Sequence, residues 1–521
     1  MRLAGIDIGV FVLYLLAVLA VGVAAARRAS GTKRDYFLAG DKLPWWMIGG
    51  SIVAANISSH HFVGVMGTAY SRGFVAMTIE WGAILVGFNA LLWIFLPFYL
   101  RNGFYTMPEF LERRFGPAAR TSYAALILLT YVFVEISAVL YLGAIAVHSM
   151  VGAPILGSII ALALLTGLYT IVGGLRAVVW TEMLQLVVLL IGGLTLAIVT
   201  INRVGGLQGV MATSGNWHLI LPADDPDFPW TMYLGGLTCI SIFYCAANQF
   251  IVQRTLAAKD EWHARMGVVF ADYLKFLMPL LIIVPGLVAP ALFPKLEKGD
   301  MVFPMLVKTL LPHGLIGLVM AGLIAAIMSH VAGAVNSCTT IAAVDFFVPY
   351  ARQGSDERAV VRFGKAAGVV ILMLSVVCAV TLVSHSDKPV FIYLLAAYGY
   401  FTPGIATMFL LGIFWRRATT AGALAAGLLT IPLSAALQFA LPKMPFMNRT
   451  GIAFWACMAV CAAVSLMTKP RSAEELTGLI WTRDSLRLPQ EMREKMRGVR
   501  NPALWWAALT AVLLVIYVKY R

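Results

Sequence analysis

The sequence predicts an all-α membrane protein of about fourteen transmembrane helices, with a five-plus-five inverted-repeat core and discontinuous helices 2 and 7. Three observations predict it. Of the 521 residues, 60% are hydrophobic and 12% charged, and mean hydropathy is +0.84. The apolar residues fall in runs of helix length, apolar on all sides, and not in the alternating pattern of barrel strands. The second and seventh runs carry glycines and polar side chains near mid-depth, where hydrocarbon penalises them. An interval of five reverses orientation, as an inverted repeat of segments 2–6 against 7–11 requires.

Taken in order, the first run (6–26) is followed by the basic residues Arg27, Arg28, Lys33, Arg34 and Lys42. Its Ala24-Ala25-Ala26 has the look of a cleavage site. The charge lies on the wrong side of the run for a signal peptide, so a retained helix is expected. Run two (43–69) opens on Trp45-Trp46, a pair suited to the membrane interface. At its centre stands Asn56-Ile57-Ser58-Ser59-His60-His61, with Gly64, Gly67 and Gly73 beyond. A broken helix explains both features: freed carbonyls can coordinate a cation while side chains face a midplane solute. The alternative is a continuous helix whose polar groups bond to neighbouring helices.

Run three (75–100) carries Glu80-Trp81, and run four (121–147) Tyr131 and Glu135. Runs five (155–172) and six (177–201) are joined by Gly173-Gly174-Leu175-Arg176, and the sixth opens on Trp180-Thr181-Glu182. After an exterior loop at 202–230, run seven (231–251) has polar groups and glycines across Gly235–Cys245, including Ser241 and Tyr244. Run eight (266–293) holds Asp272 and Lys275; run nine (313–344) holds Ser329-His330 and Asn336-Ser337. Five further runs lie at 362–383, 390–414, 421–440, 450–467 and 502–518. The expected units are 1–42 (first helix and basic loop), 43–201 (first repeat), 202–230 (exterior loop), 231–417 (second repeat) and 418–521 (three more helices with a basic loop).

The net charge of +14 does not indicate a nucleic-acid partner, because its position matters. Basic residues concentrate in alternate loops, the largest cluster running from Lys469 to Arg500, whereas Asp224-Asp225-Pro226-Asp227 lies in an opposite one. The positive-inside rule then places both termini outside, in a multi-pass protein of the plasma (inner) membrane. All six cysteines fall inside apolar runs without metal-ligand spacing, so neither a disulfide framework nor a zinc site is expected. His60, His61 and His330 do not form the cluster of bases, nucleophiles or ligands that an enzyme needs. The longest non-membrane stretch, about 468–501, is too short for a separate signalling domain. A cation-coupled secondary transporter is therefore expected, ahead of a transporter-like sensor or a membrane enzyme, with no resident cofactor.

Together these motifs resemble the solute:sodium symporter family, of the sodium/glucose cotransporter type that includes the bacterial sodium/galactose symporters. The resemblance runs from Tyr36 to Arg417 through Ala54–Gly64, Glu80-Trp81, Tyr105–Phe110, Val179–Gln185, Asn248–Lys259, Ala325–Ser337, Thr402-Pro403-Gly404 and Phe409–Arg416. It implies a midplane sugar site and a cation site between segments two and nine. Asn56, His61, Glu80, Tyr131, Lys275 and Phe391 match family positions around the solute, and Tyr244 matches the tyrosine that gates the inner side. Departures surround them: His60 for a glutamate, Ala83 for a serine, Glu135 and Ser241 for the asparagines of bacterial members, Cys245 for a tryptophan, Leu395 for a glutamine. A lost hydrogen-bond partner changes which hydroxyls a site accepts, so glucose or galactose does not follow. A hydroxyl-rich neutral solute is expected, with a small carboxylate as the alternative.

The resemblance also implies cation ligation by the carbonyls of Ala54, Ile57 and Ala326 and by two adjacent serine hydroxyls. Those fall on Ser329 and His330. Sodium wants small oxygen ligands, so His330 is expected to weaken its site and to leave proton-coupled or passive transport. The alternative has the ring pointing away, with water or Ser337 completing a sodium site. Glu182 stands where the family has an aspartate tied to cation movement, and an N-terminal helix cap is its other reading. Lys275 either pairs with Asp272 one turn earlier or meets the solute.

Overall fold

The computed structural model describes residues 4–27, 32–40, 42–213, 216–296, 298–350, 356–381 and 390–521, and of Tyr350, Val390, Phe391 and Ile392 the backbone alone. Among the described residues, 12 helices are long and apolar enough to cross a membrane, and the β-structure amounts to two isolated bridges. Two of the helical stretches, His60–Arg101 with 42 residues and Ile155–Arg203 with 49, are about twice as long as the ~20 residues of one crossing. Helical geometry lapses inside each at a glycine of positive φ: Gly73 at 80° and Gly174 at 59°.

At Gly174 ψ is −160°, a region open essentially to glycine alone. A Cβ there would also overlap the Tyr36 carbonyl. Sequence runs five and six lie on either side of this residue. We expect Gly174→Ala to cost about 1–3 kcal/mol from the backbone strain alone, read as a lower unfolding temperature of the purified protein. An unchanged transition would mean that the chain turns there without needing glycine.

Burial separates an inner set of helices from an outer one. Gly236–Leu256 and Leu315–Phe347 bury 89% of their apolar windows, whereas Gly5–Arg27, Thr420–Ala440 and Pro502–Lys519 bury 22%. The outer set exposes Leu13, Leu428 and Val518, which suits lipid, a solvent as apolar as leucine. All six cysteines are buried and free.

Both helices expected to be discontinuous are interrupted. Trp45–Asn56 ends at Ile57, which is extended at φ −83°, ψ 123°. A wide π turn, His60–Val65, then leads into Met66–Arg72. In the other, Gly236–Ile242 continues as a π turn over Phe243–Ala247, breaks at Asn248 (φ −92°, ψ 121°) and resumes as Gln249–Leu256. The full break thus lies at Asn248, three residues past the Gly235–Cys245 stretch that the sequence marked as weakened. Asn248 supplies the reason: its Oδ1 accepts from Phe250 N at 3.0 Å, which caps the new helix start. The two interrupted helices are joined where Leu43 N donates to Ala257 O (3.0 Å) and Lys259 N to Leu43 O (3.2 Å).

Glycine also sets how closely the site's helices approach. A Cβ on Gly49 would lie 2.5 Å from Gly267 O, and one on Gly267 would lie 2.7 Å from Ile48 Cβ. Trp45–Asn56 therefore packs backbone to backbone against Glu261–Leu292, as small residues allow between membrane helices. That approach brings Lys275 to Asn56.

Candidate functional site

A cavity of about 600 Å³, counting its open mouth, lies among the first break, Glu80, Glu135, the seventh run, Lys275 and the helix Val390–Phe414. Its polar lining includes Asn56, His60, His61, Glu80, Ser241 and Lys275. The lining also includes Leu237, Ile240, Leu394, Leu395 and Met447. Nine of the expected solute-site residues line it: Asn56, His60, His61, Glu80, Glu135, Ser241, Tyr244, Lys275 and Leu395. Two do not enter the description in that way. Phe391 has no described side chain. Tyr131 is buried outside the lining, where its OH donates to Asn248 Oδ1 and accepts from Phe250 N at 3.1 Å. It holds the second break, so its polarity serves the backbone.

The charged groups are paired across helices. Lys275 Nζ donates to Glu80 Oε2 at 2.5 Å and to Asn56 Oδ1 at 2.6 Å. Its partner is therefore Glu80 and not Asp272, whose buried Oδ1 has no hydrogen-bond partner among the described residues. Asn56 Nδ2 donates to the Tyr244 hydroxyl at 3.1 Å, so a chain of contacts links Glu80 to the base of the cavity. His61 Nδ1 accepts from Ser58 N at 3.3 Å, closing the break. Its Nε2 lies 3.2 Å from Glu80 Oε1, but out of line for a hydrogen bond and without another partner. The His60 ring lies against His61 with centroids 4.0 Å apart, and its Nδ1 is 2.5 Å from Ser58 Oγ.

His330 points at the break. Its Nδ1 is 2.7 Å from Ala55 O, one of the last carbonyls of Trp45–Asn56, which have no next turn to bond. Its Nε2 is 2.8 Å from Glu135 Oε2, and Tyr398 OH donates to the other Glu135 oxygen. The ring thus takes Ala55 O, a carbonyl next to the expected ligands Ala54 and Ile57, and Ala326 lies one turn before it. Ser329 Oγ is buried with no partner among the described residues. A carbonyl and a carboxylate only accept, so the two bonds together need two protons: one on each ring nitrogen, or one on Nδ1 and one on Glu135 donating to Nε2.

Glu182 is buried, and Arg254 Nη2 donates to its Oε1 at 2.5 Å. Ser51 Oγ donates to the other oxygen and accepts from Arg254 Nε at 2.7 Å. This interhelical lock takes the place of a helix cap, one of the two readings of Glu182. Arg254 sits in Asn248–Lys259, one of the stretches that carry the family resemblance, yet its partner was not legible there. Tyr398 was missed as well, although it stands one helical turn after Leu395.

A family model described as the Sodium:solute symporter family matches residues 36–430. The chain is 36% identical over 502 residues to a sodium/glucose cotransporter of Vibrio parahaemolyticus, covering 89% of this chain and 91% of that protein. It is 35% identical over 480 residues to a sodium/myo-inositol cotransporter 2 of Sus scrofa, covering 84% of this chain and 71% of that one. A solved Na+-coupled sialic acid symporter, in a substrate-bound outward-open state, shares the fold at a TM-score of 0.80 and 22% identity, over 90% of this chain and 99% of that one. These relatives and neighbours are transporters, not enzymes. The chain is a member of the sodium:solute symporter family.

Proposed function

We propose that the protein imports a small, neutral, hydroxyl-rich solute by alternating access across a bacterial-type plasma membrane. Fourteen crossings, counted by dividing His60–Arg101 and Ile155–Arg203 at their glycines, agree with both termini on the outer side. The two breaks, with nearly equal backbone angles, favour inverted repeats over segments 2–6 and 7–11. One observation carries the solute class. Lys275 is matched by Glu80 and His330 by Glu135, which leaves no surplus positive charge for an anion. The lining mixes polar groups with Leu237, Ile240, Leu394, Leu395 and Met447, as a ring with equatorial hydroxyls and a C–H face needs. Asn56, His61, Glu80, Ser241 and Lys275 take the hydroxyls, and Tyr244 lies beneath. The relatives' named solutes, glucose and myo-inositol, are neutral rings of this kind.

The cation side departs from its family. Ala54, Ile57, Ala326 and Ser329 supply oxygen, but His330 places nitrogen and hydrogen among them. Sodium is the family's coupling ion; here its binding is weakened, and transport is proton-coupled or passive, since a histidine can carry the proton. Glu182, held by Arg254, sits toward the proposed inner side of this path. The solute test is uptake into proteoliposomes with competing sugars, cyclic polyols and monocarboxylates. Competition by hexoses or polyols is expected. Competition by monocarboxylates alone would overturn the proposal.

A further inference from the structure

Asp272 is a buried acid that the solute site does not use. It is 2% exposed, its Oδ1 lacks a hydrogen-bond partner among the described residues, and it belongs to a membrane-spanning helix, where such groups are expensive and face partners. Lys275, which does line the cavity, stands three residues on along Glu261–Leu292, so the two positions share a helix face. A rise of about 1.5 Å per residue puts Asp272 some 4.5 Å nearer the end of the helix that follows Arg254 and Lys259. By the distribution of charge, that end is cytoplasmic.

Resting on the transporter reading, we propose that Asp272 is a positioning residue that acts through Lys275: when the inner side opens, Lys275 Nζ exchanges Glu80 and Asn56 for Asp272. The exchange separates the two groups that grip the solute. Glu80 keeps its place beside His61, whose Nε2 lies 3.2 Å away and can donate to the carboxylate once the lysine leaves, while the ammonium, which also holds Asn56 and through it Tyr244, withdraws toward the exit. A lysine suits this motion, because its ammonium is a point charge on a flexible stem that can change partners without a fixed fork geometry. Positions three residues apart on a helix share a face, so the new pair needs side-chain rotation and no helix movement. Without Asp272, leaving Glu80 would strand a buried ammonium, and the open state would be rarely populated.

The test uses the full-length protein in two variants with opposite expected signs. Hydrogen–deuterium exchange over 236–256, without solute, reports opening of the interrupted helix that holds Tyr244. Asp272→Asn, which keeps shape and removes charge, should slow exchange there by about threefold or more. Asp272→Glu, whose longer side chain brings the carboxylate closer to Nζ, should speed it. In proteoliposomes Asp272→Asn should lower the maximal uptake rate about tenfold and leave equilibrium solute affinity nearly unchanged, because opening and not binding is affected. If neither variant shifts exchange, or both shift it in one direction, the partner exchange is wrong. If exchange shifts as expected but no sugar or polyol is taken up, the partner exchange stands and the solute reading fails. Should the asparagine variant not fold, the sign of the glutamate variant alone decides.

Discussion

Lys275→Met is expected to abolish uptake, lowering the initial rate by about 100-fold or more, and to destabilise the protein as well. The ammonium donates to both Glu80 and Asn56. Removing it strands the buried Glu80 carboxylate, a loss of about 3–5 kcal/mol when one partner of a buried pair is deleted. Stability and transport are separable here. Glu80→Gln combined with Lys275→Gln replaces the pair by neutral amides of similar size and should recover most of the unfolding temperature, since replacing both partners is far cheaper than removing one. It should not recover uptake, because an amide pair offers solute hydroxyls no charge-assisted hydrogen bonds. Thermal unfolding read beside initial-rate uptake checks both statements. Near-normal uptake by Lys275→Met would make the lysine a structural counter-ion only.

His330→Ser is expected to turn a transporter with shallow sodium dependence into one that sodium stimulates about tenfold, an effect of roughly 1.4 kcal/mol on ion binding. The imidazole holds Ala55 O and Glu135. A serine would place a second hydroxyl beside that of Ser329, offering the small oxygen ligands that a hard cation takes. It would also release Glu135 from its partner, leaving an uncompensated carboxylate near the ion. The measurement is uptake with sodium replaced by choline at fixed pH, for the unmodified protein and the variant. Steep sodium dependence in the unmodified protein, with nothing gained by the serine, would show that His330 leaves the ion site intact. A second series at fixed sodium with an imposed pH gradient separates proton coupling from passive flux in the unmodified protein.

The limits of sequence reading are clearest at these two positions. Lys275 has an acid one turn away in the sequence, so helical spacing alone supported a Lys275–Asp272 pair. The ammonium instead meets Glu80, 195 positions earlier in the chain. His330 was legible as a residue out of place among oxygen ligands. Its second partner, Glu135, was read as a solute-site position in the fourth run and not as a partner of His330. Tyr131 was read as part of the pocket because it matches a family position around the solute, yet its hydroxyl is spent on the break at Asn248.

The sequence by itself determined what hydropathy and local composition control. It marked which stretches are long and apolar enough to cross a membrane and that the second and seventh are weakened at mid-depth. Each follows from the cost of polar groups in hydrocarbon, and that cost is counted along the chain. Only the tertiary structure decided which acid each base meets, where the seventh run breaks, and that Glu182 is locked to Arg254. Ion pairing in a low-dielectric interior depends on approaches of a few ångströms between helices. Those approaches are set by contacts such as Gly49 against Gly267, whose close fit leaves no periodic trace in the sequence.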